Sequence, residues 1–264
     1  MKKIVLGMTF LLTITCFGRD ILRSEAAGPA DLSPKEIKAF LKTGPIVSVK
    51  KDATTGRTMP WKITLDDGKT KLQGMFKRVH APRPDPAVDS YKYELAAYEL
   101  SQLLGLEFIP PTVDREIEGN KGSLQYFVPG CISETDRERL LLQPPDLKAF
   151  LGRLDEIKVF EALVNDTCLD KADILIQQPG WKVYRVDFAE AFAPTPGLAA
   201  DCPINRCPRR LFEHLQNTAR QIIESKLRPY LSEDEIGTIF DRKKRIIARL
   251  EGLMKTEGER NVLY

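Results

Sequence analysis

Two acidic residues, Asp173 and Asp187, have a spacing that could place their carboxylates side by side. Asp173 directly precedes an apolar run at residues 174–176, and Asp187 closes a second run that begins at Val183. Residues 177–180 read Gln-Gln-Pro-Gly, which is typical of a tight turn, so the two runs predict a β-hairpin that brings both acids together. Paired carboxylate oxygens suit Mg²⁺ carrying a nucleotide. Taken alone, a turn acid and a strand-end cap explain the two residues more simply.

The elements that must position this hairpin divide the sequence into two blocks. Alternating apolar residues predict strands in the first block, and apolar residues three and four apart predict its main helix. The predicted strands cover residues 46–50, 61–65, 72–79, 112–118 and 122–128, and the predicted helices cover residues 34–43 and 89–104. After Gly130 we expect mostly helix, apart from the hairpin. The sequence therefore predicts an α+β fold with an N-terminal lobe at residues 28–129 and a helical lobe at residues 130–264.

Composition restricts the possible partners. The chain has 264 residues, of which 42% are hydrophobic, enough for one large domain or two packed lobes. Its net charge is +3, with 40 basic and 37 acidic residues interspersed along the sequence. The sequence has no pattern of arginines interleaved with aromatic residues, so we expect no nucleic-acid partner.

The N-terminus has the pattern of an export signal. Two lysines precede an apolar run at residues 4–17, and Ser24 and Ala26 supply the small residues that a signal peptidase reads, with cleavage near Ala26 or Ala27. We therefore predict a signal peptide at residues 1–27 and a periplasmic or extracellular location. A spanning helix needs about 20 apolar residues, so no stable transmembrane span is expected. An uncleaved N-terminal anchor is the alternative.

Cysteine spacing agrees with export to an oxidising compartment. Cys16 would leave with the signal peptide, whereas Cys202 and Cys207 are spaced to close a small disulfide loop. Zinc is not expected, because the two histidines are far apart and have no Cys-x-x-Cys motif nearby. Cys131 and Cys168 are predicted to be isolated thiols.

The last predicted helix carries a basic run at residues 242–245, followed by Arg249. Apolar residues at 246, 247, 250 and 253 supply a separate face of that helix. We interpret the basic residues as a solvated helical face. Attraction to anionic lipid is a secondary hypothesis.

A sheet with one main helix, followed by a helical lobe that holds an acidic hairpin, resembles the protein-kinase-like fold. Residues 76–79, Phe-Lys-Arg-Val, resemble the lysine motif of the third kinase strand, and residues 93–100 resemble the kinase helix that carries a glutamate. Residues 122–128 resemble the strand that enters the hinge. Residues 93–106, followed by 109–113, look like a bacterial branch of the phosphoinositide-kinase-like group, related at the fold level to HipA toxin kinases.

This resemblance implies a site for ATP with Mg²⁺ or Mn²⁺. Lys77 would hold the α- and β-phosphates while paired to Glu94, with Glu99 as a substitute on the same helix. Asp187 would be the metal-binding aspartate before the activation segment, to which residues 193–208 correspond. Gln125 and Phe127 would line the adenine site. Residues 54–56 are a weak substitute for the glycine-rich loop.

The catalytic loop departs from the pattern of this branch. The proton-accepting aspartate of the relatives falls on Cys168, their arginine on Leu169, and their metal-binding asparagine on Asp173. A neutral thiol is a poor proton acceptor, since its ordinary pKa is near 8.5 and rises on burial. Asp166 and Asp170, two positions either side of Cys168, are the candidate replacements.

Three functions remain open on the sequence. The chain is a diverged phosphotransferase with weak or altered activity towards an unknown protein, lipid or small-molecule acceptor. Alternatively, it is a pseudokinase that serves as a binding or regulatory module, with or without nucleotide. A structural domain unrelated to kinases is the third possibility, which the order of the motifs disfavours.

Overall fold

The computed structural model describes residues 32–51, 58–81, 88–166, 168–195, 197–198 and 202–264. The predicted signal peptide and the loop at residues 54–56 lie outside these ranges. Among the described residues, no helix is both long and apolar enough to cross a membrane.

A five-stranded antiparallel sheet forms the N-terminal lobe, with the strand order β1-β2-β3-β7-β6. The elements in this part of the chain are α1 (Pro34–Thr43), β1 (Ile46–Lys50), β2 (Trp61–Asp66), β3 (Lys71–Lys77), β4 (His80–Ala81), β5 (Asp89–Ser90), α2 (Tyr91–Leu103), β6 (Thr112–Ile117) and β7 (Asn120–Tyr126). The predicted strands and helices are confirmed, with ends that shift by no more than two residues.

Alternation along β2 and β3 separates the two faces of this sheet. Leu72 and Phe76 of β3 point into a core that α1 covers with Leu41, and Ile63 of β2 joins them. Because successive side chains of a strand point to opposite faces, Lys77 lies on the other side of β3 from Phe76. Lys77 is thereby placed outside this core.

The C-terminal lobe is mostly helical around a second, larger core. Its elements are β8 (Cys131–Ser133), α3 (Glu134–Arg139), α4 (Leu147–Val164), β9 (Ile174–Gln177), β10 (Lys182–Arg185), α5 (Arg209–Asn217), α6 (Arg220–Leu227), α7 (Glu233–Glu257) and α8 (Glu259–Val262). The predicted acidic hairpin is confirmed as β9 and β10, and β8 joins it as a third strand. Helix α2 also packs into this core through Tyr93, Ala96, Ala97 and Leu100.

The predicted disulfide is wrong in its pairing. Cys202 is bonded to Cys168, 34 positions earlier, and Cys207 is a buried free thiol. Cys207 is held elsewhere by its backbone, which forms a β-bridge with Leu263 and donates a hydrogen bond to Val262 O. The prediction that Cys168 is an isolated thiol is therefore also wrong, whereas Cys131 is free as predicted.

The basic run on α7 is not entirely a solvated face. Arg242 is fully buried, as are Ile239, Ile246 and Leu250 on the same helix. These residues recur at three and four positions, so Arg242 belongs to the inward face of α7. The interpretation of a solvated face is wrong for this residue, because backbone carbonyls of other segments accept its hydrogen bonds.

Candidate functional site

Lys77 joins acidic side chains from both lobes. Its Nζ lies 2.5 Å from Glu94 Oε1 and 2.6 Å from Asp187 Oδ1. The Glu94 side chain is 2% exposed and that of Lys77 is 15% exposed, whereas Asp187 is 48% exposed. Lys77 thus lies between the buried carboxylate of Glu94 and the solvent-accessible carboxylate of Asp187.

The sequence around α2 places Glu94 against the lysine strand. Ser90 caps the helix, its hydroxyl accepting a hydrogen bond from the Lys92 N–H, and Glu94 follows in the first turn. The Ser90 N–H also donates to Ala189 O at 2.9 Å, just beyond Asp187. The start of α2 is therefore bonded directly to the chain that follows the acidic hairpin.

Burial and ion pairing oppose each other in this cluster. Burial by itself lowers the pKa of Lys77, but the carboxylates of Glu94 and Asp187 outweigh it and raise the pKa. Burial raises the pKa of Glu94, with Lys77 opposing that shift. For Asp187, burial raises the pKa, but Lys77 outweighs it and lowers the pKa below its ordinary value. Lys77 is thus held as a cation and Asp187 as an anion at neutral pH.

Asp173 reaches the same site, as the hairpin predicted. Its carbonyl accepts a 3.0 Å hydrogen bond from the Val186 N–H, the residue before Asp187. Burial raises the pKa of Asp173 to about 6; Arg185 opposes this shift, whereas the neighbouring Asp187 adds to it. Asp187 itself has a φ of 65°, a left-handed backbone conformation that an aspartate tolerates. The two acids therefore repel each other across an incompletely neutralised site.

These acids suit a cation that arrives with phosphate. Mg²⁺ is usually held by one or two carboxylates together with waters and substrate phosphates, rather than by a full cage of side chains. In the part of the chain that the structure describes, no cluster of three or more His, Cys, Asp or Glu residues forms such a cage. Asp173 and Asp187 supply two carboxylates of the kind that could hold such a metal together with phosphate oxygens.

Sequence reasoning missed Arg185, which binds acidic side chains at the end of α4 and in the segment between α4 and β9. Its Nε lies 2.7 Å from Glu161 Oε1 and its Nη2 lies 2.9 Å from Asp166 Oδ2, and its side chain is 1% exposed. A third carboxylate, that of Asp173, lies 3.6 Å away. An arginine between Tyr184 and Val186, at the end of β10, was the signal that could have indicated a buried ion pair.

The two candidate catalytic acids lie in different surroundings. Asp166 is 5% exposed and bonded to Arg185, which fixes its carboxylate in the loop. Asp170 is exposed, and its Oδ1 accepts a 2.9 Å hydrogen bond from the Ala172 N–H. Between them in the sequence, Cys168 forms a disulfide with Cys202, which lies in the segment between β10 and α5. Its sulfur is therefore bonded and is not a free thiol at the position of the usual proton acceptor.

The predicted adenine-site residues extend the face that carries Lys77. Lys77 pairs with Ser123 across β3 and β7, so Gln125, two positions on, points to the same face. The Gln125 amide donates to Thr112 Oγ1 at 3.0 Å. Phe127 follows the strand; it is 39% exposed, and Lys62 Nζ lies 4.3 Å from the centre of its ring. An exposed aromatic ring beside the sheet face that carries Lys62 and Lys77 is of a kind that could stack on a base.

No family model matches the sequence, and a search of curated protein sequences finds no match. Among solved structures, the proinflammatory kinase CtkA of Helicobacter pylori is similar, with a TM-score of 0.50. The match has 10% sequence identity and covers 83% of this chain and 97% of that one. This chain has a two-lobed, kinase-like fold. In the kinase-like fold, Lys77 and Glu94 come from the sheet lobe, and Asp173 and Asp187 from the helical lobe.

Proposed function

We propose that this kinase-like chain binds ATP with Mg²⁺ or Mn²⁺ in the cleft between its lobes. The observation that carries the proposal is the contact of Lys77 with both Glu94 and Asp187. In kinases, a strand lysine paired with a helix glutamate holds the phosphates, and an aspartate of the helical lobe holds the metal. Asp173 would supply the second carboxylate, and Gln125 and Phe127 would border the base.

The catalytic loop supports weak or altered phosphotransfer rather than fast phosphotransfer. Transfer depends mainly on positioning and electrostatic stabilisation, so loss of the usual base need not abolish it. Asp170 is the better of the two candidate acids, because its carboxylate is exposed. Asp166 is engaged by Arg185 and would act by fixing the loop. The acceptor, whether protein, lipid or small molecule, lies outside what the fold indicates.

The Cys168–Cys202 disulfide favours the alternative of an inactive pseudokinase. The bond joins the position of the usual proton acceptor to the activation segment, so neither a carboxylate nor a thiol is offered there. A protein of this kind would bind nucleotide for regulation or would present a surface to a partner. Phosphotransfer by the Asp170→Asn variant, compared with that of the unaltered chain, distinguishes the two functions.

The remaining parts of the proposal come from the sequence. We assign the chain to the phosphoinositide-kinase-like and HipA-like branch on the residues of α2 and the segment that follows it. Export after removal of residues 1–27 agrees with a disulfide, which persists in oxidising compartments. The lobes are assigned to residues 28–129 and 130–264. Nucleic acid is not among the proposed partners.

Thermal unfolding with and without nucleotide tests the proposal directly. A ligand that binds the native state stabilises it by RT ln(1 + [L]/Kd), about 2.7 kcal/mol when the ligand is at 100 times Kd. ATP with Mg²⁺ or Mn²⁺ is expected to raise the Tm of the unaltered chain but not that of Lys77→Ala or Asp187→Ala. Lys71→Ala is the matched control, since Lys71 is an exposed lysine of the same strand. Equal shifts in all four proteins would contradict the proposed site.

A further inference from the structure

Helix α7 buries two charged residues on one face, Glu235 and Arg242. They are seven positions apart, which is about two helical turns, so both point towards the same side of the helix. Glu235 is 7% exposed and Arg242 is fully buried. Charged side chains of this kind are rarely buried unless they are hydrogen-bonded, so their partners indicate what the helix holds.

Glu235 holds the helix that carries Glu94. Its Oε1 accepts a 2.5 Å hydrogen bond from the Tyr93 hydroxyl, and both residues are buried. Its Oε2 accepts from the Ser232 N–H at 2.8 Å in the capping box that starts α7. The capping box therefore fixes the carboxylate that receives Tyr93, the residue next to Glu94.

Arg242 holds the segments on the other side of the site. Its Nε donates to Leu163 O at 2.8 Å, just before the catalytic loop. Its Nη1 donates to Ala193 O at 3.0 Å and to Thr195 O at 2.6 Å, at the start of the activation segment. One guanidinium thus joins the end of α4 to the chain that follows Asp187.

Tyr93 connects the two sets of contacts. Its ring centre lies 5.9 Å from that of Phe192, the residue before Ala193. Helix α7 is therefore bonded to α2 at Glu235 and to the activation segment at Arg242, and Tyr93 packs between these two elements. Helix α2 carries Glu94, and the activation segment follows Asp187; both carboxylates bind Lys77.

We propose that Glu235 and Arg242 are positioning residues for the nucleotide site. Helix α7 clamps α2 and the activation segment together, so that Glu94, Lys77 and Asp187 meet before any ligand binds. The clamp deepens the proposed function and depends on it for its role in nucleotide binding, but its structural effect is measurable without nucleotide.

Amide hydrogen exchange of the nucleotide-free protein tests the clamp. Tyr93→Phe removes one hydroxyl, and Tyr98→Phe, a second buried tyrosine of α2, is the matched control. We expect Tyr93→Phe to accelerate exchange at least about fivefold at the start of α2 and at residues 188–195, with other elements unchanged. Unchanged exchange in these segments, or equal acceleration throughout the protein, would overturn the clamp.

Two further variants keep the test sharp if one protein fails to fold. Glu235→Gln preserves a capping-box acceptor and a partner for Tyr93, so its exchange is expected to stay near that of the unaltered chain. Glu235→Ala is expected to match or exceed the effect of Tyr93→Phe. Equal effects of the Gln and Ala variants would count against a hydrogen-bonded clamp.

Nucleotide titration separates the clamp from the proposed function. If the unaltered chain binds Mg-ATP, Tyr93→Phe should weaken binding about fivefold or more, and Tyr98→Phe should not. If the unaltered chain binds no nucleotide, the proposed function fails, whereas a local change in exchange still supports the clamp. Normal Mg-ATP affinity in Tyr93→Phe would overturn the role of the clamp at the site.

Discussion

Glu94 is a buried carboxylate whose charge depends on Lys77. Removal of one member of a buried ion pair typically costs 3–5 kcal/mol, because the other charge stays uncompensated. Burial already raises the pKa of Glu94 above that of the unfolded chain, and without the opposing lysine it rises further. The resulting loss of stability is present at neutral pH and decreases as the pH falls towards the ordinary pKa of glutamate.

We therefore predict that Lys77→Met lowers the free energy of unfolding by about 3 kcal/mol at pH 7.5 and by clearly less at pH 5. Urea unfolding at the two pH values measures this difference. The double variant Lys77→Met/Glu94→Gln should recover most of the loss at pH 7.5, since no buried charge remains. An equal loss at both pH values would show that packing, rather than charge, accounts for the effect.

The ionised carboxylate of Asp173, proposed as a metal ligand, should destabilise the metal-free fold. Burial raises its pKa from 3.8 to about 6, so ionisation of Asp173 disfavours the folded state. The contribution of Asp173 to the free energy of unfolding therefore falls as the pH rises between these two values, and it stays lowered above pH 6. Asp173→Asn should thus stabilise the metal-free protein at pH 7.5 by about 3 kcal/mol, but not at pH 4.

Thermal unfolding at these two pH values, with and without Mn²⁺-ATP, checks the prediction. The Asn variant should have the higher Tm without ligand and the smaller ligand-induced shift. Asp170→Asn is the control, because Asp170 is an exposed acid of the same loop. A higher Tm at pH 4 as well would contradict the electrostatic explanation.

Individual residues were predictable where their role is local. The hairpin sequence placed Asp173 and Asp187 together because a tight turn fixes which strand ends meet. The burial of Arg185 and Arg242 was not predicted, since each depends on partners from distant segments. A charged residue in an apolar run indicates burial, but its partners become visible only after folding.

At the scale of elements, β7 pairs with β3, the strand that carries Lys77, and packs tightly against it at Gly122. A Cβ on Gly122 would clash with Lys77 O and would lie 2.6 Å from the Phe76 ring. Neither backbone nor buried ring can move away freely, and overpacking of this kind costs about 1–3 kcal/mol. Gly122→Ala should therefore destabilise the protein and displace β3 together with its lysine.

Gly237 provides the matched control for this substitution. It lies within α7, and a Cβ there would meet nothing within 4 Å. Since alanine is favoured over glycine in a helix interior by roughly 0.5–1 kcal/mol, Gly237→Ala should stabilise the protein. Chemical denaturation of both variants gives the signs directly, and a stabilising effect of Gly122→Ala would refute the close approach of β3 and β7.

The disulfide between Cys168 and Cys202 encloses the acidic hairpin in a covalent ring. A bond across a separation of 34 residues stabilises the folded state by about 3–4 kcal/mol in the chain-entropy description. We predict that Cys202→Ser lowers stability by up to this amount, whereas Cys207→Ser leaves the bond intact. Burial raises the pKa of Cys131 to about 11 and that of Cys207 to about 12, so both thiols should react slowly with alkylating reagents.

Mass spectrometry of non-reduced peptides decides the pairing. A peptide that joins Cys168 to Cys202 is expected, and a Cys202–Cys207 loop would contradict it. Sequence spacing favoured a disulfide between Cys202 and Cys207 because the two residues are only five positions apart. In the fold, however, the backbone of Cys207 forms a β-bridge with Leu263 near the C-terminus. Strands and helices were predictable from periodicity, whereas a contact across 34 positions was not.

At the scale of the whole molecule, the order of elements carried the prediction of a two-lobed fold. A five-stranded sheet with α2 precedes a helical lobe with an acidic hairpin, as periodicity indicated. The packing of α2 into the core of the helical lobe was not predictable, because α2 supplies buried residues to that core on most of its sides. The relation between the lobes is therefore set by tertiary contacts rather than by local patterns.

Because the lobes meet through an ion pair, phosphate should bind one of its members and metal the other, so that each ligand separates the pair. Lys77 Nζ, from the sheet lobe, lies 2.6 Å from Asp187 Oδ1, from the helical lobe, and compensates the charge that a cation would use. A triphosphate that takes Lys77 would leave Asp187 free for the metal. The absence of the lysine should have the same effect on the metal alone.

We predict that Lys77→Ala binds Mn²⁺ about tenfold more tightly than the unaltered chain when no nucleotide is present, since a nearby cation is removed from the carboxylate. The same variant should lose Mn²⁺-ATP binding, so one substitution changes the two affinities in opposite directions. Calorimetric titration with Mn²⁺ alone and with Mn²⁺-ATP measures both, and Lys71→Ala should change neither. Unchanged affinity for Mn²⁺ alone would mean that Asp187 is not the metal ligand, because removal of its cationic partner must alter any ion bound to its carboxylate.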